Sequence, residues 1–255
     1  MEALKVENIS RHFEGLQALR NISFGLDVGD RLGIIGPNGS GKTTALNIIS
    51  GVLRPSSGRI YFYGREITNK PLHVFVHLGL ARTFQHNTLF LPLTILDNVS
   101  LAIQGVMPFR HGMLRPLSSY SELFQQAKDI LLQWGLWEKR ELHVQYLSYG
   151  EQRCLELILG LVSDPKVILL DEPTAGLSAP EKALFGNIIK NLPTNITVVV
   201  VEHDMDTIFE LTRHLIVLDH GEIIAMGDKE VIKNDTKVRE VYFGSKRRGN
   251  ARRRT

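Results

Sequence analysis

The 255-residue sequence predicts an α/β protein with a parallel sheet, an antiparallel β subdomain near the N-terminus and an inserted helical subdomain. Three observations predict this fold class. The apolar run Arg31–Ile35 leads through a glycine-rich stretch, residues 36–44, into an amphipathic segment. Strands and helices alternate after about residue 165, with continuous apolar runs that are typical of parallel strands covered on both faces. Between these regions, residues 87–137 carry apolar side chains at helical spacing.

The expected elements follow the chain in order. Alternating apolar and polar residues near the N-terminus predict two or three short strands, with turns at 14–15 and 28–30. Helical spacing around residues 123–134 places the helical subdomain at about 87–160. The other expected elements are a helix at 42–51, a strand at 58–64, a helix at 150–162, strands at 167–171 and 196–204, and a hairpin at 214–227 with its turn at 219–221.

The composition points to a globular protein of the cytosol or of a membrane surface. A single cysteine, Cys154, excludes an internal disulfide and favours a reducing compartment. No apolar segment of a signal peptide follows Met1, and the longest apolar runs, 167–170 and 198–201, have the length of strands. We therefore expect no membrane span, and contact with a membrane only through another chain.

Positive charge is concentrated at the C-terminus. Residues 245–255 contain six cations and no acid, and removing these six from the net charge of +3 leaves a body of about −3. The body is therefore not expected to bind nucleic acid. We expect one domain over 1–244 and a disordered tail over 245–255, which is solvated or, as the less favoured alternative, contacts anionic lipid.

The glycine-rich stretch has the pattern G-x-x-x-x-G-K-[ST], in which backbone N–H groups surround phosphate oxygens. Glycine reaches backbone angles that other residues avoid, and the following helix points its positive end at the same anion. The alternative, a turn that binds nothing, does not explain the strand before it and the helix after it. The predicted nucleotide-binding residues are Gly36, Pro37, Asn38, Gly39, Ser40, Gly41, Lys42, Thr43 and Thr44, with Lys42 on the outer phosphates and the Thr43 hydroxyl on Mg²⁺.

Two acids, Asp171 and Glu172, follow the apolar run that begins at Val167. Asp171, at the tip of the expected strand, is placed to hold Mg²⁺ through water. Glu172 could polarise an attacking water. The alternative is a strand end with two solvated acids, and the phosphate loop upstream favours the functional interpretation.

Residues 146–157, YLSYGEQRCLEL, resemble the signature motif of ABC ATPases, usually written L-S-G-G-Q. The resemblance implies that Ser148, Tyr149, Gly150 and Glu151 close on the γ-phosphate held by another subunit. Ser148 and Glu151 also fit a capping box at a helix N-terminus, and the two interpretations are compatible. Tyr149 replaces a glycine of the family pattern and Glu151 replaces a glutamine, which leaves the role of Glu151 open.

Other positions match ABC ATPase motifs in the same order along the chain. The resemblance implies that His203 contacts the γ-phosphate and Glu172, that Gln85 in LARTFQ touches Mg²⁺, and that Phe13 stacks on adenine. Residues 175–181 correspond to the D-loop, which crosses the dimer interface. From the residues alone, a lone histidine or a strand aromatic is often structural, so these roles depend on the resemblance.

The resemblance covers nearly the whole chain up to Gly244. More narrowly, the motifs are similar in sequence to those of the LivG-type subunits that serve importers of branched-chain amino acids. It implies ATP and Mg²⁺ as cofactors, with Thr43, Gln85 and Asp171 on the metal. It also implies transmembrane permease subunits, a second ATPase in a heterodimer rather than a homodimer, an external solute-binding protein, and a peripheral location at the cytoplasmic membrane face. The permease contact is expected between Gln85 and about Asn98.

Several alternatives stay open at this point. Urea-importer ATPases share much of the same motif sequence, and ATPases of lipid or lipopolysaccharide export are very similar. An ABC ATPase that drives no transport is less expected, because the chain has neither a coiled-coil insertion nor a second ATPase half. A nucleotide-dependent scaffold is disfavoured by the presence of both Glu172 and His203.

Overall fold

The computed structural model describes residues 1–82, 89–106 and 121–241. Gln85 lies outside the described residues, and so do residues 242–255, which include the basic tail at 245–255. The chain divides into two compact units. The described part of the first unit comprises residues 1–82, 166–173 and 193–241, and that of the second comprises 89–106, 121–165 and 174–192.

The first unit contains all the strands that the described residues form. They are β1 (Glu2–Phe13), β2 (Leu16–Asp27), β3 (Arg31–Ile35), β4 (Ser57–Phe62), β5 (Arg65–Glu66), β6 (Leu80–Arg82), β7 (Val167–Asp171), β8 (Thr197–Val201), β9 (His214–Asp219) and β10 (Glu222–Asp228). The described helices are α1 (Lys42–Ile49), α2 (Leu72–Leu78), α3 (Ile95–Val106), α4 (Ser121–Gln133), α5 (Tyr149–Leu161), α6 (Ala179–Lys190), α7 (Met205–Leu211), α8 (Lys229–Asn234) and α9 (Thr236–Arg239).

The larger sheet positions the candidate site. Its strand order is β10-β9-β3-β8-β7-β6, and every pair is parallel except the β9–β10 hairpin. All residues of β7 and β8 are buried, as their continuous apolar sequences predict. Because β3, β8 and β7 are parallel neighbours, their carboxyl ends meet at one edge of the sheet, where ligands bind in open α/β folds.

The smaller sheet, of order β2-β1-β4-β5, is antiparallel and confirms the expected β subdomain. Its first two strands have twelve residues each, so the expectation of short strands was wrong. Register shifts interrupt the β1–β2 pairing at several points, and these irregularities break the alternation from which strand length was judged. The turn at Glu14 and Gly15 is where it was expected, and both residues have positive φ.

The second unit is helical. Buried apolar side chains from α3, α4 and α5 form its core, including Ile95, Val99, Leu123, Leu131 and Leu155. α5 begins one residue earlier than expected, at Tyr149, after the N-cap Ser148. The unit also contains α6, which lies beyond the expected limits of about 87–160, and those limits stay a prediction. Within the described residues, no helix is both long and apolar enough to cross a bilayer.

Candidate functional site

The glycine-rich loop joins β3 to α1, and its shape depends on glycine at Gly41. Gly41 is the N-cap of α1 and has a φ of 103°, in the left-handed region. A Cβ placed there would lie 2.7 Å from the carbonyl oxygen of Ala18 on β2. A side chain at this position would therefore be strained twice, by its backbone angle and by the strand behind it. The first N–H groups of α1 have no partner within a helix and can bind an anion.

Lys42 is held inside this loop. Its ammonium donates hydrogen bonds to the carbonyl oxygens of Gly36 at 2.8 Å and Pro37 at 2.9 Å, and the residue is 5% exposed. Burial lowers the pKa of Lys42, and the charges of Glu172 and Asp171 oppose that effect. The cation is thus already positioned next to the loop that would surround a phosphate. Thr43, the predicted metal ligand beside it, is exposed on the first turn of α1.

Asp171 ends β7 with a fully buried side chain. Its Oδ2 accepts a hydrogen bond from Arg82 Nη2 at 3.0 Å, while its Oδ1 has no hydrogen-bond partner among the described residues. Burial raises the pKa of Asp171, and the Arg82 charge lowers it. A buried, unpartnered carboxylate oxygen suits a hard cation that prefers oxygen ligands, so this site fits Mg²⁺.

Glu172 and His203 lie side by side at the ends of β7 and β8. His203 Nε2 lies 2.5 Å from Glu172 Oε1, and the Glu172 backbone N–H donates to the Val201 carbonyl at 2.8 Å. Glu172 has a φ of +48°, which is uncommon for a residue with a side chain. The structure thus brings together the two predicted catalytic residues.

Phe13 ends β1, next to the turn of the β1–β2 hairpin. Its side chain is among the exposed large apolar groups, at 40% exposure. The guanidinium carbon of Arg11 lies 4.5 Å from the ring centroid, a cation–π contact that orients the ring. The aromatic ring is therefore presented at the surface rather than packed in the core.

The signature residues form the N-terminus of α5 in the second unit. The Ser148 hydroxyl accepts from the Glu151 N–H at 3.2 Å, and the Ser148 N–H donates to Glu151 Oε2 at 2.9 Å, so the expected capping box is present. Glu151 Oε1 pairs with Lys139 Nζ at 2.5 Å. That contact lowers the pKa of Glu151. The extra carboxylate of this motif is therefore neutralised by a lysine of the same unit.

Glu181 is a residue that the sequence interpretation missed. Its Oε1 accepts hydrogen bonds from the Ser148 hydroxyl and the Gly150 N–H, both at 3.1 Å. Its Oε2 accepts from the hydroxyl and N–H of Ser178, the N-cap of α6. The Ser178 bonds, with smaller contributions from Gly150 and Ser148, lower the pKa of Glu181 to about 2. The spacing S-x-x-E at 178–181 is a capping-box signal that could have identified it.

The comparisons with known proteins agree with this geometry. Residues 19–175 match the family model described as "ABC transporter". A probable branched-chain amino acid transport ATP-binding protein LivG of Archaeoglobus fulgidus is 35% identical over 248 residues, 96% of each chain. Among solved structures, the ADP conformation of an ATP-binding cassette of an ABC transporter has a TM-score of 0.84 at 33% identity, covering 96% of this chain and 99% of that one. A dimeric post-hydrolysis cassette bound to ADP and phosphate has a TM-score of 0.72 at 27% identity, covering 89% and 98%.

Proposed function

The chain belongs to the ABC transporter family, and we propose that it is the ATP-hydrolysing subunit of an importer of branched-chain amino acids. The resemblance found in the sequence, the α/β fold class and the ATPase assignment are confirmed. One observation carries the catalytic part of the proposal. Buried Lys42, buried Asp171 and the Glu172–His203 contact all belong to the edge of the sheet where β3, β7 and β8 end. The amino-acid cargo follows from the names of the relatives.

In the proposed mechanism, the N–H groups of residues 36–44 and the Lys42 ammonium bind the phosphates of ATP. Thr43 and Asp171, together with Gln85 outside the described residues, would hold Mg²⁺, which would offset negative charge on the phosphates. Asp171 would act through a water molecule.

Glu172 is the proposed general base of hydrolysis. Its carboxylate takes a proton from a water molecule while the water oxygen attacks the γ-phosphorus. The bond from that phosphorus to the bridging oxygen breaks, which leaves ADP and phosphate. His203, hydrogen-bonded to Glu172, holds the carboxylate in position and contacts the γ-phosphate.

A second ATPase subunit completes the site in this proposal. Residues 148–151 of one subunit close on the γ-phosphate that the other binds, and the D-loop at 175–181 crosses the interface. The partner is a related ATPase rather than a second copy, as the LivG resemblance implies. Phe13 stacks on the adenine ring of the bound nucleotide.

The permease would contact the second unit. Four exposed apolar side chains lie on the chain segments 90–95 and 142–146, which are joined by backbone hydrogen bonds, including Gln145 N–H to the Leu91 carbonyl at 3.0 Å. They are Phe90, Leu91, Leu142 and Tyr146. Exposed apolar groups on neighbouring segments are typical of protein contact surfaces, which supports a permease contact here. The chain would then lie on the cytoplasmic face of the membrane, with a solute-binding protein on the other side.

Affinity capture from membranes tests this proposal. The native membranes are extracted in a mild detergent, the chain is captured, and the associated proteins are identified by mass spectrometry. We expect two permeases and a second ATPase, and then uptake of leucine-like amino acids by the assembly. Uptake of urea would instead indicate a urea importer, and capture of envelope-assembly proteins would indicate a lipid or lipopolysaccharide export system. Absence of any membrane protein would contradict the transport role.

A further inference from the structure

Arg82 makes an unexpected set of contacts at the end of β6. Its side chain is 9% exposed. Its Nη1 donates to Asn47 Oδ1 at 2.7 Å and to Ser50 Oγ at 2.9 Å, at the C-terminal end of α1. Its Nη2 donates to Asp171 Oδ2 at 3.0 Å. One guanidinium therefore joins β6, α1 and β7 within the first unit.

Arg82 bonds only one of the two carboxylate oxygens of Asp171, which leaves the other oxygen available to a ligand. An arginine paired with an isolated carboxylate frequently bonds both of its oxygens. Arg82 instead divides its donors between Asp171 and α1, so that Oδ1 of Asp171 is left without a partner among the described residues. The terminal torsion of an aspartate is broad and roughly two-fold, and a fixed bond to one oxygen restricts it.

The α1 contacts fix a second part of the same site. Asn47 lies one turn after Thr43 on α1, and Lys42 begins that helix. Because the guanidinium is planar and rigid, its bonds to Asn47 and to Asp171 hold the helix and the strand end at a set separation. The helix that carries Thr43 and the carboxylate of Asp171 are thus both bonded to one buried guanidinium.

We propose that Arg82 is a positioning residue for metal-dependent ATP hydrolysis. It holds Asp171 with one oxygen directed to Mg²⁺, and it keeps α1, which carries Thr43, in register with that oxygen. Arg82 touches neither nucleotide nor metal in this role, and acts through Asp171 and α1. The inference rests on the proposed role of Asp171 at the metal.

The test compares metal binding with nucleotide binding in the full-length chain. Arg82→Met, Arg82→Lys, Asp171→Asn and the Arg82→Met/Asp171→Asn double variant are prepared. Mn²⁺ binding to the complex with a non-hydrolysable ATP analogue is measured by electron paramagnetic resonance, and affinity for the analogue is measured separately in EDTA. Arg82→Met should raise the Mn²⁺ concentration at half-saturation roughly tenfold, as for other residues that orient a metal ligand. Affinity in EDTA should stay within about twofold, since Lys42 and the loop are intact.

The double variant decides whether Arg82 acts through Asp171. We expect the loss of Mn²⁺ affinity in the double variant to be clearly smaller than the two single losses combined, because the part of the Arg82 effect that acts through Asp171 is already gone in Asp171→Asn. Additive losses would overturn the inference, and so would an unchanged Mn²⁺ half-saturation in Arg82→Met.

Two further outcomes keep the test decisive. If Arg82→Met does not fold, Arg82→Lys serves instead, because it keeps the buried charge but cannot bond α1 and Asp171 through one plane. We expect a weaker Mn²⁺ affinity there too, and normal affinity would refute the positioning role. If Asp171→Asn itself leaves Mn²⁺ binding unchanged, the proposed metal role of Asp171 fails, whereas a loss in Asp171→Asn alone removes only the role of Arg82.

Discussion

The loop at 36–41 and the start of α5 at 148–151 are the two helix N-termini that we propose bind phosphate, but they are held in different ways. The loop is fixed by the close approach of Gly41 to the Ala18 carbonyl and by the Lys42 ammonium, which bonds two carbonyls of the loop itself. The start of α5 is held by side chains, and its Ser148 and Gly150 donors already bind the Glu181 carboxylate.

Under the proposed function, this difference corresponds to two ways of preparing a phosphate site. The loop offers backbone donors and a nearby cation, and its quality depends on glycine and lysine at set positions. At the start of α5, a phosphate bound as proposed would compete with the Glu181 carboxylate of the same chain for the Ser148 and Gly150 donors.

Glu172→Gln should lower the steady rate of ATP hydrolysis by about 10²- to 10⁴-fold, the usual contribution of a general base. ATP binding should persist, because the phosphate donors of the loop are untouched. The rate is measured as phosphate release by the captured assembly, with Glu230→Gln, an exposed glutamate on α8, as the control. A near-normal rate would remove Glu172 from the catalytic role.

Lys42→Ala should weaken nucleotide binding by about 10- to 100-fold, because a charged hydrogen-bond donor is worth about 1.5–3 kcal/mol. The measurement is calorimetric titration with ATP, and Lys139→Ala is the control in the other region. That control loses only the cation paired with Glu151, so affinity for ATP in the isolated chain should hold. Equal affinities for ATP in Lys42→Ala and the unmodified chain would contradict the assigned role of the loop.

Gly41→Ala should lower the free energy of unfolding by roughly 1–3 kcal/mol, the cost of a strained backbone position. The added Cβ would approach the Ala18 carbonyl, whereas a Cβ at Gly39 has no atom within 4 Å. Gly39→Ala is therefore the matched control, since its φ is also positive at 81°. Chemical denaturation measures both, and an equal loss in the two variants would show that the strand behind Gly41 has no influence.

Glu181→Gln should change how stability depends on pH. The folded pKa of Glu181 is about 2, below the ordinary 4.5, so its carboxylate stabilises the fold above about pH 4.5. That contribution is lost as the pH falls from 4.5 towards 2. The thermal unfolding midpoint of the unmodified chain should therefore fall further between pH 6 and pH 3 than that of the variant. Glu230→Gln is the control. Parallel pH profiles would argue against a strongly bonded carboxylate at the start of α5.

The sequence was most informative where the signal is local. The loop at 36–44, the strands β7 and β8 and the capping box at Ser148 are each defined by neighbouring residues, and the structure has them close to the expected bounds. The turn expected at 219–221 is a two-residue turn, His220 and Gly221, both with positive φ, as the twist of a tight hairpin requires.

The missed residues depend on contacts between distant positions. Arg82 reaches Asp171 across 89 positions, and Ser148 reaches Glu181 across 33. No periodicity reveals an arginine that ends a three-residue strand, and both β6 and α2 are too short to give a clear pattern. The pairing of Glu151 could not be predicted either, because its partner Lys139 lies in another segment of the chain. Gln85 lies outside the described residues, so its predicted place at the metal stays a prediction.

Hydrogen–deuterium exchange on the Glu172→Gln assembly is the most direct measurement of the proposed division between the two regions. Exchange is followed with and without ATP, in the isolated chain and in the captured assembly with its second ATPase. We expect ATP to protect residues 36–44 in both samples, but to protect residues 148–152 only in the assembly, where the partner presents its nucleotide. Protection at 148–152 in the isolated chain, or none there in the assembly, would contradict it.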